Sequence, residues 1–247
     1  MNWVKLGGLG IVLFSTVLIT VLAFLRRKST LVFRDIPTFT YLRKAIGLAV
    51  EEGSHLHISL GRGGLATPQS AVELAGLEML RDVNELTADS DQPPVATSGD
   101  GAVALLSQNA LSIPGGGALS RGYDPTAARL TGLTPFSYAA GVLPVMQDEN
   151  ISANVLMGNL GVEAALLTDA AERSGTSILG GSDDLSAQAI LYGNAQHPLI
   201  GEEVYAAGAY LKPRPFHTAS LTVQDILRWL VVISILLGAV LKLAGVL

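Results

Sequence analysis

The residues of this chain able to do chemistry gather in four glycine-bearing turns: Gly61-Arg62-Gly63-Gly64, Ser98-Gly99-Asp100-Gly101, Gly158-Asn159-Leu160-Gly161 and Gly180-Gly181-Ser182-Asp183-Asp184. Each follows a short apolar run and precedes a stretch with helical spacing, so each reads as a passage from strand to helix. With parallel strands, all four turns share the carboxyl edge of one sheet. Open α/β folds bind ligands at that edge, and free N–H groups at helix N-termini favour anions there. Arg62 adds a charge of the right sign. The candidate ligand-binding residues are therefore Gly61, Arg62, Gly63, Gly64, Ser98, Gly99, Asp100, Asn159, Gly180, Gly181 and Asp183, with an anionic small molecule as the ligand. The competing use of the same glycines is structural, a sharp turn that a side chain would obstruct.

Catalytic signatures are missing from these turns. GRGGLATPQS lacks the Gly-Lys-Ser/Thr ending of a phosphate loop, and no run matches G-x-G-x-x-G with an acid at the right distance. Ser98 stands in TSGDG, which is not a nucleophile elbow. His55 and His57 lie two apart on a strand and share a face, as a metal pair would, but spacing supplies no third ligand and ordinary polar contacts explain them. Asp100, Asp183 and Asp184 have a cheaper use than chelation: acids at helix N-termini cap the helix and suit its dipole. Cysteine is absent, which removes disulfides, thiolate ligands and thiol nucleophiles together. No catalytic residue, cofactor or metal is assigned. Nucleic acid is an unfavourable partner, since residues 35 to 211 carry a net charge of −13.

The elements that must position these turns follow in order. A helix from Thr38, read as its N-cap, carries Leu42, Ile46, Ala49 and Val50 on one face and ends at Gly53. The strand His55 to Leu60 follows, then a helix opened by Thr67-Pro68, the strand Pro94 to Thr97, and a helix from Ala102 to Leu111. Ser112 to Arg129, with three consecutive glycines, reads as a hinge. After it the pattern begins again at Thr134-Pro135. Phe39, Tyr41, Glu51-Glu52, Gly61 and Gly64 find counterparts in Phe136, Tyr138, Asp148-Glu149, Gly158 and Gly161, all at one offset of 97 residues. The second copy continues with a helix from Val162 to Ser174, a strand from Thr176 to Leu179, a helix from Leu185 to Tyr192 and a last helix from Gly201 to Leu211. The expectation is an internally duplicated, Rossmann-like α/β domain of at least four parallel strands, with halves 38–111 and 134–211 joined by the loop 112–133.

Two apolar runs bracket this domain. A mean hydropathy of +0.43 with 15% charged residues already implies a membrane component. Leu6 to Leu25 is long enough to cross a hydrocarbon core of about 30 Å and ends at Arg26, Arg27 and Lys28, where a cleavage site would have to stand in a signal peptide. Trp229 to Leu247 is the second span, with Lys242 near its far end. Basic tethers, 29–37 and 212–224, join the spans to the domain, and the prolines of KPRPFHTAS should interrupt any helix on the way out. Arg26, Arg27, Lys28, Arg34, Lys212, Arg214 and Arg228 all flank the domain, which predicts a two-pass inner-membrane protein with a cytoplasmic body and both termini outside. Gly7, Gly8 and Gly10 allow close helix contact within the membrane, with the second span or a neighbouring subunit.

The segments RDIPTFTYLRKAIGLAVEEGSHLHISLGRGG, PPVATSGDGAVALLSQNAL, LTGLTPFSYAAGVLPVMQDENISANVLMGNLG and IGEEVYAAGAYL through VQDILRW resemble an uncharacterised bacterial membrane-protein family, a domain of unknown function. The resemblance runs from Arg34 to the final helix and implies no activity. The function expected is a membrane-anchored scaffold, partnered by the bilayer and by copies of itself or other membrane subunits. The alternative is a sensor or degenerate enzyme for an anionic small molecule at the glycine edge.

Overall fold

The computed structural model describes residues 3–25, 33–67, 70–88, 90, 92–112 and 124–245. The basic triplet Arg26-Arg27-Lys28, Pro68 and the glycines Gly115 to Gly117 lie outside them. The chain divides into two compact units, the body Asp35–Lys212 and the terminal segments.

In the terminal unit, α1 (Trp3–Leu25) packs along α9 (Pro215–Leu243). Two helices, Lys5–Leu25 and Pro215–Leu243, are long and apolar enough to span a membrane. The least exposed α1 residues, Ser15, Leu18, Ile19, Leu22 and Ala23, recur at three- and four-residue spacing, as a helix seam requires. A side chain built at Gly7, Gly8 or Gly10 would meet nothing within 4 Å among the described residues, so these glycines make no close contact with the described part of α9. The exit tether also differs from expectation. Pro213 does not delay the helix to Trp229, because α9 begins at Pro215, where proline's fixed φ and missing N–H suit the first helical position.

The body runs α2 (Pro37–Glu52), β1 (His55–Gly61), α3 (Ser70–Leu86), β2 (Val95–Ser98), α4 (Gly101–Ser112), β3 (Ala128–Leu130), then α5 (Pro135–Asp148), β4 (Ile151–Asn159), α6 (Ala164–Arg173), β5 (Ser177–Gly181), α7 (Leu185–Asn194) and β6 (His197–Pro198). A 3₁₀ helix, Gly201–Ala206, and a short α8 (Ala207–Tyr210) complete it where one continuous helix was expected. Helix and strand thus alternate in the same order twice. All six strands are parallel, in the order β3-β2-β1-β4-β5-β6, the doubly wound arrangement. β1 and β4 lie side by side at the centre, and their register pairs Leu56 with Ala153, His57 with Asn154, Ile58 with Val155 and Ser59 with Leu156. That register is the 97-residue offset of the sequence repeat.

Of the expected hinge, residues 113–123 lie outside the described residues, and Ala128 and Arg129 belong to β3 at the sheet edge. α2 also starts earlier than expected. Ile36 occupies the N-cap position with Pro37 just inside, and Thr38 is buried in the helix with its hydroxyl donating to the Pro198 carbonyl at 3.2 Å. Thr134 is the N-cap of α5, with a reciprocal capping box to Ser137.

Alternation along β1 assigns the layers. Leu60 meets α3 so closely that a Cβ at Gly76 would stand 2.8 Å from its Cδ2, whereas Ser59 hydrogen-bonds Tyr138 of α5 on the opposite face. α4, α3 and α8 pack together on the first face, and α2 joins them through the stacked rings of Phe39 and Tyr210. α5, α6 and α7 lie side by side on the second. Their core is Tyr138, Val142, Met146, Leu156, Leu160, Leu167, Ile178 and Leu191, nearly all fully buried. Burying such side chains supplies about 1.5–3 kcal/mol each.

Candidate functional site

The strand order reverses between β1 and β4, and the crevice beyond their carboxyl ends is where a ligand would be sought. Gly61 ends β1 at φ +70°, and its Cβ would lie 2.5 Å from the Asn159 carbonyl, so neither its conformation nor its surroundings admit a side chain. The turn is tied to both neighbouring strands, by Arg62 N–H to the Asn159 carbonyl at 2.9 Å and by Gly99 N–H to the Gly61 carbonyl at 2.8 Å.

Two acids not anticipated from sequence hold this crevice. Glu73, in the first turn of α3, is fully buried, and its Oε1 accepts the N–H of Gly63 and the N–H of Asn159, each at 2.9 Å. Those donors would face an anion in a dinucleotide-binding sheet; here the chain's own carboxyl takes them. Burial pushes the Glu73 carboxyl up to about 8, against the pull of the two N–H donors and with further upward pressure from Asp183 and Asp100. Glu163, just before α6, accepts from Arg62 Nε at 2.5 Å and is itself buried. Glu73 Oε2 and Glu163 Oε2 are buried without a hydrogen-bond partner among the described residues.

The remaining turns close on themselves as well. Asp100 Oδ1 accepts from Ala102 and Val103 N–H at 3.0 Å, capping α4, and the Ser98 hydroxyl donates to the Asp100 carbonyl at 3.2 Å. Asp184 caps α7 through Ser186 and Ala187 N–H. Asn159 Nδ2 donates to Asp183 Oδ1 at 2.8 Å, and Ser182 Oγ accepts the Leu160 N–H at 3.0 Å. Gly64 approaches Asp100, and Gly99 packs on Arg62. Of the sequence-derived candidates, Gly61, Arg62, Gly63, Gly64, Ser98, Gly99, Asp100, Asn159 and Asp183 meet around this crevice. Gly180 and Gly181 lie inside β5, where a Cβ at Gly181 would press on the Leu199 carbonyl.

Beneath the crevice a row of buried polar side chains crosses the sheet. The Tyr138 hydroxyl contacts Ser59 Oγ at 2.7 Å and accepts the Gly61 N–H at 3.2 Å. Burial holds its phenol above the usual range, at about 12. His57 meets Thr97 Oγ1 through Nε2 at 2.9 Å and Asn154 Oδ1 through Nδ1 at 2.8 Å. Asn154 Nδ2 donates to Thr176, which directs its oxygen at His57 and makes Nδ1 the protonated nitrogen of a neutral ring. Burial accordingly lowers His57 to about 4. His55 Nδ1 donates to the Pro93 carbonyl at 2.6 Å. Both histidines therefore have ordinary protein partners, and among the described residues no three His, Asp or Glu side chains are grouped to hold a metal ion.

The chain belongs to the family described as a domain of unknown function (DUF6754), which it matches over residues 2–247. No curated protein and no solved structure matches it.

Proposed function

We propose that this family member is a membrane-anchored structural protein, whose two spanning helices hold a cytoplasmic α/β body that assembles with copies of itself or supports a larger membrane complex. The observation that carries this reading is the self-closed crevice: Glu73 takes the N–H groups of Gly63 and Asn159, while Asp100 and Asp184 cap the helices on either side. With those two amides and the N-termini of α4 and α7 taken by the body's own carboxyl groups, fewer N–H donors are left to recognise an anion. Small residues near the C-terminal end of the body do not supply an assembly surface, since Ala206, Ala207 and Ala209 are buried within it. Support for assembly comes instead from Leu133, Phe136, Val162 and Leu185, all more than half exposed near the starts of α5, α6 and α7. The basic residues flanking the body favour its cytoplasmic placement.

Native mass spectrometry of the detergent-solubilised protein tests the assembly. A homo-oligomer or a co-purifying membrane subunit is expected; a monomer at every concentration, with nothing bound, overturns it. A thermal shift caused by nucleotides or phosphorylated metabolites would instead favour the ligand-sensing alternative. The cysteine-free chain makes placement simple to check. A single Glu172→Cys, on the exposed side of α6, should react with a membrane-impermeant maleimide only after the cells are opened.

A further inference from the structure

Glu73 stands on the buried face of α3, where its nearest companions along the helix are Val72, Gly76, Leu77 and Leu80. One oxygen of its carboxyl takes an N–H from the β1–α3 turn and another from the end of β4, so a single atom bridges the two halves of the sheet at the point where strand order reverses. The other oxygen is sealed away without a hydrogen-bond partner among the described residues. The two N–H donors favour the ionised form, but complete burial, with no hydrogen-bond partner on the second oxygen to share the charge, opposes it more strongly. An ionised carboxylate would place a buried charge near Asp100 and Asp183, while Arg62 is engaged by Glu163.

We propose that Glu73 is a proton-held clasp: protonated, it closes the seam between the halves of the sheet; ionised, it lets the β1–α3 turn and the end of β4 part, opening the crevice. The proposal goes beyond the structural role assigned above and holds whether or not the body assembles. The groups acting on the clasp are Asp100 from the β2–α4 turn, Asp183 from the β5–α7 turn and Tyr138 from α5, with the Arg62–Glu163 pair in the same crevice and Glu202, Glu203 and Tyr205 on the 3₁₀ helix that packs against α3. α4 and α8, which pack against α3, contribute no charged side chain. The raised position of the Glu73 carboxyl, about 8 against an ordinary 4.5, makes the direction definite. The folded state keeps a proton that the unfolded state loses, so closure is complete below the lower value and weakens as pH rises towards and through the higher. The linked equilibrium changes about tenfold per pH unit within that window.

Hydrogen exchange at the Gly63 and Asn159 amides of the full chain in detergent, corrected for intrinsic rates between about pH 6 and about pH 9, reads the clasp directly. Protection in the unmodified chain should fall with pH towards about tenfold per unit, while Glu73→Gln, which cannot ionise, should hold its protection level. Constant protection in the unmodified chain, or an equal loss in both, overturns the proposal. Infrared difference spectra of the unmodified chain provide a reading that does not depend on the variant folding. The carbonyl stretch of a buried protonated carboxyl should be lost around pH 8, and its absence below that point also overturns the proposal. Asp82, pushed by burial to about 6, titrates lower, and Asp82→Asn separates its band.

Discussion

Replacing Arg62 with alanine separates a structural crevice from a ligand site. The Glu163 side chain is fully buried and the Arg62 side chain is 22% exposed, so the two ends of the pair are unequal. Losing the guanidinium strands a carboxylate away from water, which costs about 3–5 kcal/mol. For a body of this size each kcal/mol moves the midpoint by about 2–4 °C, so Arg62→Ala should lower it by roughly 6–20 °C. Glu163→Gln leaves a cation that can still reach solvent and should cost only about 1–2 kcal/mol. Arg62→Met with Glu163→Leu removes both charges and should recover to within about 1 kcal/mol of the parent. Thermal and urea unfolding of the four proteins in one detergent, followed by circular dichroism, compare these costs. If Arg62→Ala unfolds within about 0.5 kcal/mol of the parent, the ion pair does not hold the crevice. Arg62 would then be free for an anion, and the structural reading of the glycine edge would fail.

Other perturbations test the rest of the core. His57 is lowered from 6.5 to about 4, so the folded state excludes a proton that the unfolded state binds. Stability should be full above about pH 6.5 and fall by up to roughly 3 kcal/mol on acidification towards pH 4, and His57→Gln should flatten that limb of a pH-dependent unfolding series. Tyr138→Phe leaves Ser59 Oγ without its 2.7 Å partner and the Gly61 N–H without its acceptor, and should cost about 1–3 kcal/mol by denaturant titration. Gly53 and Gly61 both have positive φ, but a side chain at Gly53 meets open space whereas one at Gly61 meets the Asn159 carbonyl. Gly53→Ala should therefore cost about 1 kcal/mol, while Gly61→Ala should give no soluble, cooperatively unfolding body in expression and calorimetry trials.

Much of the architecture was legible because it depends on local pattern. Apolar length marked the two helices long and apolar enough to cross a membrane, and short apolar runs alternating with helical spacing marked the central parallel strands. The boundaries missed were those that packing or a proline's position decides. β3 and β6, of three and two residues, are too short to show any alternation of their own and exist as partners of β2 and β5. In the crevice, the glycines and the acids at the starts of α4 and α7 were visible as turn and cap chemistry. Glu73 left a fainter trace, an acid on the apolar face of α3, and Glu163 looked like any acid at a helix start.

The residue sequence alone therefore settled which segments are apolar enough to leave water, and that one α/β pattern occurs twice at an offset of 97, because these are properties of residue order. Only the fold decided what faces the carboxyl edge. The partners of Glu73, Arg62 and Glu163 arise from β1 and β4 meeting across the reversal, which brings residues about a hundred positions apart into hydrogen-bonding distance, and the upward push on the Glu73 carboxyl arises from its removal from solvent there.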